Sequence, residues 1–358
     1  MKQIIQHYRT GELTLKDLPA PAARPGGVIV ATRASLVSAG TEKLLMDVAK
    51  ASLAGKAMAR PDLVRQVVDK AKREGVISTI EAVRTKLDNP VSLGYSCAGT
   101  IIELGPNVDG LKVGDRVACA GAGYASHAEY NFVPKNLCVP VPEGVDDESA
   151  AFVTVGAIAL QGVRQAQPTM GERIVVIGLG LLGQLTVQLL KANGCKVLGF
   201  DPIASKCDLA RTLGADAACS TGLVGAAEAF TDGYGADAVV VTASTKSDEP
   251  VNTAAAIARA KGRVVLVGMV GMNLQRDRYY RKELDLRLSM SYGPGRYDPD
   301  YEEGGHDYPF PYVRWTERRN MQAFLELIQE GRVTPSQLVT HRFDISDAEQ
   351  AYGLMSGD

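Results

Sequence analysis

A glycine-rich motif of the form Gly-x-Gly-x-x-Gly follows an apolar run that ends at Ile177 and opens a helical pattern. Its members are Gly178, Leu179, Gly180, Leu181, Leu182 and Gly183. In this setting Gly178 would allow a tight turn, Gly180 would let a pyrophosphate approach backbone N–H groups, and Gly183 would let helix and strand pack closely. The helix N-terminus at Leu181 and Leu182 would attract the phosphates. The motif therefore predicts a dinucleotide site.

An acidic residue, Asp201, stands 18 residues after Gly183, directly after the next predicted strand. A carboxylate at this position accepts hydrogen bonds from the hydroxyls of the adenosine ribose and repels a 2′-phosphate. Lys206 is close enough in sequence to relieve part of that repulsion. We expect NAD rather than NADP as the cofactor.

The segment 292–315 combines aromatic and basic side chains and holds seven of the 21 aromatic residues of the chain. The candidate substrate residues in it are Tyr297, Tyr312, Arg296 and Trp315. Flat rings offer stacking surfaces for sugars, and guanidinium groups bind phosphate or carboxylate. The alternative to substrate binding is that these side chains form a small separate hydrophobic cluster that covers a domain or dimer interface.

Strands and helices alternate between positions 151 and 294, which predicts an open, doubly wound parallel sheet of the α/β class. Strands are predicted at Arg173–Ile177, Lys196–Phe200, Ala238–Thr242 and Arg263–Val267, with helices at Leu181–Ala192 and Ser205–Leu213. The strands are almost entirely apolar, as in a sheet buried on both faces. Residues at two strand ends would border the cofactor, namely Thr242, Ala243, Val267, Gly268 and Met269.

The first 150 residues predict a mostly β domain, because short alternating runs are separated by turn residues. Such runs are Val28–Thr32, Gly99–Glu103 and Asp115–Ala118. Between Asp62 and Leu87 the period becomes helical, so we expect two helices to interrupt this domain at about 62–87. A later helix is predicted at Thr316–Gln329, with Gly331 as its C-terminal stop.

Composition excludes several classes of protein. The chain has 358 residues, 46% of them hydrophobic, and a formal net charge of −2, which disfavours a nucleic-acid partner. Neither a run of 18 apolar residues nor an apolar signal segment at the start is present, so we expect a cytoplasmic protein without membrane contact. The six cysteines and four histidines are too widely spaced to form a metal-binding pair in the sequence, so we expect reduced thiols and no metal.

Several motifs together resemble the medium-chain dehydrogenase/reductase family. They are Gly40–Glu42, Leu93–Ser96, Val113–Val117, His127–Tyr130, the glycine motif and Leu213–Asp216. The resemblance covers almost the whole chain. It implies a GroES-like substrate domain over 1–150 and 295–358 and a Rossmann domain over 151–294. It also implies that Thr154 contacts the nicotinamide ribose.

The resemblance is to a zinc-free member of the family. Zinc-dependent members carry a cysteine where this chain has Ala39, and His-Glu where it has Tyr95 and Ser96. The cysteine-rich lobe that holds a structural zinc has no counterpart after Val117. Without such ligands the protein has no Lewis acid to polarise a carbonyl.

A narrower resemblance links the chain to bacterial bi-domain oxidoreductases, in which a medium-chain unit precedes a glucose–fructose-oxidoreductase-like unit, often in saccharide pathways. It rests on Ser38–Glu42, the helical insertion, Gly94–Ser96 and Tyr292–Tyr297. The closing strand usual for the family is missing before Asp358, so we expect either the N-terminal half of a bi-domain protein, with a second oxidoreductase domain after it, or a truncated chain; the intact mass of the native product distinguishes the two. We also expect a homo-oligomer, because dimers in this superfamily form through the edge of the Rossmann sheet.

Without zinc, hydride transfer to a carbonyl still needs a proton donor or an oxyanion stabiliser within hydrogen-bond reach. Tyr95 stands where a metal-ligating histidine would be, and it either directs its hydroxyl at the substrate or fills the metal site by packing. Glu42 and Thr41 belong to a motif that lines the cleft in the family, where Glu42 either acts as a base or braces the loop. His127 either shuttles a proton near neutral pH or is a half-exposed structural histidine.

These observations favour an NAD-dependent oxidoreductase that transfers hydride between nicotinamide and a secondary alcohol or ketone of a sugar or nucleotide-sugar-like substrate. Tyr95 or His127 would handle the proton. One alternative is an NADPH-dependent quinone or enoyl-type reductase, against which Asp201 and the arginine-rich segment argue. The other is a non-catalytic, cofactor-binding half of a bi-domain enzyme, which turnover on any polyol would exclude.

Overall fold

The computed structural model describes residues 1–7, 10–40, 42, 43, 46 and 90–356. Thr41 and the predicted helices at 62–87 lie outside the described residues. The chain divides into two compact units. Unit 1 consists of Met1–Asp115, Cys119–Val133 and Thr340–Asp358, and unit 2 of Arg116–Ala118 and Pro134–Val339. None of the helices in the described ranges is both long and apolar enough to span a bilayer.

Unit 1 is built mainly from antiparallel strands. They are β1 (Lys2–His7), β2 (Leu13–Asp17), β3 (Gly27–Ser35), β4 (Pro90–Ser92), β5 (Ser96–Leu104) and β7 (Tyr130–Pro134), with β6 (Arg116–Ala120) at the boundary. Strand β1 pairs with β2 and β4, and β3 pairs with β5. The last helix of the chain packs Ala348 and Tyr352 against Ile4 and Leu93 of this unit.

Unit 2 contains a six-stranded parallel sheet. Its strands are β9 (Arg173–Ile177), β10 (Lys196–Phe200), β11 (Ala217–Cys219), β12 (Ala236–Val241), β13 (Ala258–Leu266) and β14 (Asp285–Leu288), and β8 (Cys138–Pro140) lies outside this sheet. The spatial order is β11-β10-β9-β12-β13-β14, and every neighbouring pair is parallel. This is the doubly wound order in which ligands bind where the strand order reverses, outside the carboxyl ends of β9 and β12. The predicted parallel sheet is confirmed.

The described helices are numbered in chain order. They are α1 (Asp147–Ala150), α2 (Val153–Ala166), α3 (Leu181–Ala192), α4 (Ala204–Thr212), α5 (Leu223–Phe230), α6 (Glu249–Ile257), α7 (Arg276–Lys282), α8 (Pro299–Glu302), α9 (Glu317–Gln329) and α10 (Ala348–Ser356). Short 3₁₀ turns cover Lys135–Leu137, Pro335–Leu338 and Ile345–Asp347.

The unit boundaries differ from those that the sequence suggested. The predicted boundary gave 295–358 to the first domain, whereas only the part from Thr340 onward clusters with unit 1. The reason is the packing of α9 against α2. A Cβ atom on Gly156 would lie 2.2 Å from the ring of Phe324, and Asn320 donates a hydrogen bond to Gln161 at 3.1 Å.

Candidate active site

The glycine loop joins β9 to α3, and two of its glycines are sterically required. Gly178 has a φ of +96°, and a Cβ atom there would lie 2.6 Å from the backbone nitrogen of Ala243. A Cβ atom on Gly183 would lie 1.9 Å from the carbonyl oxygen of Gly178. The tight turn and the close approach of helix to strand are therefore present as the motif predicted.

The N-terminus of α3 is open towards a ligand. Gly180 is the N-cap residue and supplies no side-chain hydrogen bond, so the N–H groups of the first turn lack a capping side chain. A Cβ atom on Gly180 would meet nothing within 4 Å, and Leu181 and Leu182 are partly exposed. Free N–H groups at the positive end of a helix fit a pyrophosphate.

Asp201 follows β10 directly and is 5% exposed. The backbone N–H of Leu179, in the glycine loop, donates to its Oδ2 at 2.9 Å, and the N–H of Ile203 donates to its Oδ1 at 3.0 Å. The amino group of Lys206 lies 3.5 Å from Oδ2. These contacts fix the carboxylate beside the glycine loop, where the predicted ribose contact requires it.

The end of β12 meets the glycine loop at the point where the strand order reverses. The hydroxyl of Thr242 donates to the carbonyl oxygen of Gly178 at 2.5 Å. A Cβ atom on Gly268 would lie 2.0 Å from the carbonyl oxygen of Ala243. Val267 precedes this contact, and Met269 follows it with 59% of its surface exposed. Thr242 and Ala243 therefore border the glycine loop, and Gly268 contacts Ala243, whereas the placing of Val267 and Met269 beside the cofactor stays a prediction.

Thr154 lies in a different environment. It is in the first turn of α2 and is fully buried. Its assignment as a ribose contact stays a prediction that rests on the resemblance.

Unit 1 contains a buried polar cluster around Glu42, which we call the Glu42 cluster; it consists of Ser35, Ser38, Glu42, His127 and Tyr352. Glu42 is fully buried. Its carboxylate accepts hydrogen bonds from the backbone N–H of Ser38 at 3.1 Å and from the hydroxyl of Tyr352. The Nε2 atom of His127 lies 3.3 Å from both carboxylate oxygens. Glu42 therefore braces its own loop and also holds an imidazole.

His127 is 2% exposed, so the expectation of a half-exposed histidine is wrong. Its Nδ1 lies 2.8 Å from the hydroxyl of Ser35, which is exposed at the end of β3. Gly94, with a φ of +93°, passes so close that a Cβ atom there would lie 2.9 Å from the ring. The imidazole is thus enclosed, and its Nδ1 contacts the exposed residue Ser35.

Tyr352 and Ser35 were not identified from the sequence. Tyr352 lies on α10, 310 residues from Glu42, and no local pattern indicates that contact. Burial, the charge of Glu42 and the hydrogen bond to it raise the pKa of the Tyr352 hydroxyl. The hydroxyl therefore stays protonated and donates to the carboxylate.

Tyr95 is half-buried, and its carbonyl oxygen accepts a hydrogen bond from Gly121 at 3.0 Å. The positions at which the resemblance implies zinc ligands hold Ala39, Tyr95 and Ser96, which offer no thiolate, imidazole or carboxylate. These residues do not fit a zinc ion. Within the described ranges, no three His, Cys, Asp or Glu residues come close enough to hold a metal.

The predicted substrate residues do not form one group. Arg296 is paired with Glu302 at 2.6 Å, and its guanidinium lies 4.2 Å from the centre of the Tyr297 ring. Tyr312 is 88% exposed. Trp315 instead contacts two other guanidinium groups, those of Arg164 and Arg314.

Two families match different parts of the chain. The family described as Alcohol dehydrogenase GroES-like domain matches residues 63–143, and the family described as Zinc-binding dehydrogenase matches residues 182–303. The chain belongs to the medium-chain dehydrogenase/reductase superfamily. It is an oxidoreductase of that superfamily, with a GroES-like domain and a Rossmann-like parallel-sheet domain, as the motifs predicted.

Curated relatives of this medium-chain dehydrogenase/reductase include enzymes named for sugars and polyols. D-guloside 3-dehydrogenase of Escherichia coli strain K12 is 28% identical over 269 residues, which are 73% of this chain and 72% of the relative. Sorbitol dehydrogenase of Halalkalibacterium halodurans is 27% identical over 305 residues, which are 75% of this chain and 81% of the relative.

Solved structures of dehydrogenases are similar to this chain in fold. The alcohol dehydrogenase TADH from Thermus sp. ATN1 has a TM-score of 0.74 at 18% identity, over 99% of this chain and 96% of that one. The short chain alcohol dehydrogenase from E. coli CFT073, complexed with NADH, has a TM-score of 0.73 at 21% identity, over 100% of this chain and 96% of that one. A mycobacterial protein complexed with NADPH has a TM-score of 0.72 at 19% identity, over 100% of this chain and 97% of that one.

Proposed function

We propose that this protein is an NAD(H)-dependent oxidoreductase that transfers hydride between nicotinamide and a secondary alcohol or ketone of a sugar-like substrate without zinc. The observation that carries the cofactor assignment is the carboxylate of Asp201. It is buried at the end of β10 and held by N–H groups of Leu179 and Ile203. A carboxylate fixed in this position accepts from ribose hydroxyls and repels a 2′-phosphate.

The residues of the glycine loop fit a dinucleotide. The uncapped N-terminus of α3 would hold the pyrophosphate, and Asp201 the adenosine ribose. When bound, the nicotinamide supplies the acceptor or donor of the hydride. The rest of the chemistry, which is to bind and orient the substrate and to move its proton, falls to side chains of the chain itself.

The sugar-like substrate is supported by the relatives and by the chemistry of segment 292–315. Relatives named D-guloside 3-dehydrogenase and sorbitol dehydrogenase match about three quarters of the chain. Tyr297 is 67% exposed beside the guanidinium of Arg296. An exposed ring with a neighbouring guanidinium suits a hydroxylated substrate.

Zinc independence is supported by the donor set. Ala39, Tyr95 and Ser96 replace the residues that hold zinc in other members, so a hydroxyl takes the place of an imidazole. We propose that the Tyr95 hydroxyl donates a hydrogen bond to the substrate oxygen, which stabilises negative charge as it develops there.

His127 would act through Ser35, because its own ring is buried. A proton leaving the substrate alcohol would pass to the Ser35 hydroxyl while that hydroxyl passes its own proton to Nδ1 of His127, at 2.8 Å. The Glu42 carboxylate at the other ring nitrogen would stabilise the imidazolium. Ser35 and His127 are thus proposed as a proton relay, with Glu42 as a positioning residue.

Titration with NADH and NADPH tests the cofactor assignment. We expect tighter binding of NADH, and we expect Asp201→Ser to weaken NADH and to strengthen NADPH, since the repulsion of the 2′-phosphate is removed. Asp208→Ser, a change at an exposed carboxylate on α4, is the matched control. Tighter binding of NADPH by the unmodified protein would refute the assignment.

Turnover on a panel of sugars, polyols, nucleotide sugars and quinones tests the reaction. We expect hydride transfer with one saccharide class, a loss of kcat in Tyr95→Phe, and a changed pH profile in His127→Ala and Ser35→Ala. NADPH-dependent turnover on a quinone would instead make the protein a reductase; the proximity of Lys206 to Asp201, at 3.5 Å, is the observation that favours this second candidate. NADH binding without turnover on any substrate would indicate a non-catalytic, cofactor-binding half.

A further inference from the structure

Unit 2 contains a cavity of about 390 Å³ at which α2, α3 and α9 meet. Leu160, Val163, Leu189 and Leu327 form its apolar surface, and Arg164, Trp315 and Arg332 contribute polar and aromatic groups. Its size falls within the range of roughly 300–1,000 Å³ that is typical of small-molecule sites. The cavity therefore combines an apolar surface with guanidinium groups.

Two guanidinium groups cover the indole of Trp315. The Cζ atom of Arg164 lies 3.2 Å from the centre of the indole, and that of Arg314 lies 3.8 Å from it. Two guanidinium groups this close to one centre would collide on one face, so they lie on opposite faces. Stacking on the indole holds both charges in place without neutralising them.

Arg164 is oriented by a buried amide. Its Nε donates to the Oδ1 atom of Asn320 at 2.7 Å, and Asn320 is itself fully buried and donates to Gln161 and to the carbonyl oxygen of Tyr292. The two terminal nitrogens of Arg164 have no hydrogen-bond partner among the described residues. The hydrogen bond to Asn320 thus fixes the Arg164 side chain in one orientation and leaves the N–H groups of its two terminal nitrogens available to bind an anion.

Of the three arginines at or beside this cavity, Arg164 and Arg314 have no carboxylate partner among the described residues. The third arginine, Arg332, lies 3.7 Å from Glu330 at the surface. Burial and the neighbouring charge of Arg314 lower the pKa of Arg164 to about 10. An anion bound here would relieve the repulsion between the two guanidinium groups.

The cavity lies at the end of the sheet opposite to the glycine loop. Helix α3 starts at the loop and ends at Ala192, which lines the cavity, so its 12 residues separate the two by about 18 Å. Gln167 and Pro168, which also line the cavity, precede β9, whereas the glycine loop follows that strand. The cavity is therefore separate from the dinucleotide site.

We propose that this cavity is a second binding site, for a small organic anion that carries a carboxylate or a phosphate ester on an apolar body. The anionic group would bind the terminal nitrogens of Arg164 together with Arg332, and the apolar body would cover Leu160, Val163 and Leu327. Guanidinium groups bind both anions through paired N–H donors, so the site recognises the chemistry that the two share.

Trp315 is the only tryptophan of the chain, so its fluorescence reports directly on the cavity. The probes are hexyl phosphate and hexanoate, with inorganic phosphate as the head group alone and hexanol as the body alone. We expect a saturable fluorescence change with one or both of the two amphiphilic anions, and weaker binding of the two fragments. Calorimetry in the presence of saturating NADH provides a second readout, and it should show the same affinity.

Substitution of the arginines that line the cavity tests whether the anion binds there. Arg164→Met and Arg332→Gln should each weaken binding about tenfold or more, the loss expected for a charge-assisted hydrogen bond. Arg211→Gln is the matched control, because Arg211 and Arg332 are equally exposed, at 48%, and Arg211 lies on α4, away from the cavity. If Arg164→Met fails to fold, the affinity of Arg332→Gln for the anion decides whether the anion binds at this cavity.

Three results would overturn the proposal. They are the absence of saturable binding of both amphiphilic anions to the folded protein, binding that the Arg164 and Arg332 variants leave unchanged, and displacement of the anion by NADH. The last result would place the anion at the glycine loop instead.

Discussion

Glu317, the first residue of α9, offers a quantitative test of the packing in unit 2. Its side chain is fully buried, and neither carboxylate oxygen has a hydrogen-bond partner within the described residues. Burial and the nearby charge of Glu302 raise the pKa of Glu317 from an ordinary value of 4.5 to about 9, and Arg296 acts in the opposite direction. The folded protein therefore holds a proton on Glu317 at neutral pH.

The perturbation is Glu317→Gln, which removes the ionisable group and keeps its shape. Between 4.5 and about 9 the folded state binds a proton that the unfolded state has lost, so the free energy of unfolding falls as pH rises. The slope is about 1.4 kcal/mol per pH unit, which gives a loss of about 3 kcal/mol between about pH 6 and pH 8. Glu317→Gln should lose none of this stability.

Urea unfolding followed by the fluorescence of Trp315, which lies in unit 2, measures the effect. The variant should gain about 3 kcal/mol relative to the unmodified protein on going from about pH 6 to pH 8. Glu326→Gln, at an exposed position of the same helix, should show no such pH-dependent difference. If unmodified protein and Glu317→Gln respond equally to pH, Glu317 is not a buried neutral acid and the reasoning is refuted.

Further substitutions test the loop and the cluster. Gly183→Ala should destabilise unit 2 by about 1–3 kcal/mol, because the new Cβ atom would lie 1.9 Å from a carbonyl oxygen. Gly180→Ala should leave urea stability within about 0.5 kcal/mol but weaken NADH in a binding titration, and unchanged NADH affinity would contradict the assigned pyrophosphate approach. Tyr352→Phe should cost unit 1 about 1.5–3 kcal/mol of unfolding free energy, measured by circular dichroism, because buried Glu42 loses a donor; a change below about 0.5 kcal/mol would contradict this.

Local patterns were sufficient to predict the elements that hold the cofactor site. The strands Arg173–Ile177 and Lys196–Phe200 and the helix Leu181–Ala192 have the predicted bounds, because apolar runs and glycine turns are local signals. The same applies to the role of Gly183 in packing.

Contacts between distant parts of the chain were not predictable in this way. Tyr352 reaches Glu42 across 310 residues, and Arg164 on α2 stacks on Trp315, which precedes α9. Gly94 packs closely against the ring of His127, which contributes to the burial of this histidine. No pattern in the sequence indicates this contact. Trp315 and Arg296 lie in one aromatic and basic segment of the sequence. In the folded chain they contact different residues, because Trp315 packs against Arg164 and Arg314 whereas Arg296 pairs with Glu302.

The most direct test of the proposed function is the rate of NAD-dependent oxidation of sugars and polyols by protein that has been treated with a chelator and shown to be free of zinc. We predict that one saccharide class is oxidised, that NAD is preferred over NADP, and that the rate is unchanged when zinc is added. Activity that disappears on chelation and returns only with zinc would contradict the assignment of Tyr95 and the Ser35–His127 relay as the groups that handle the substrate proton.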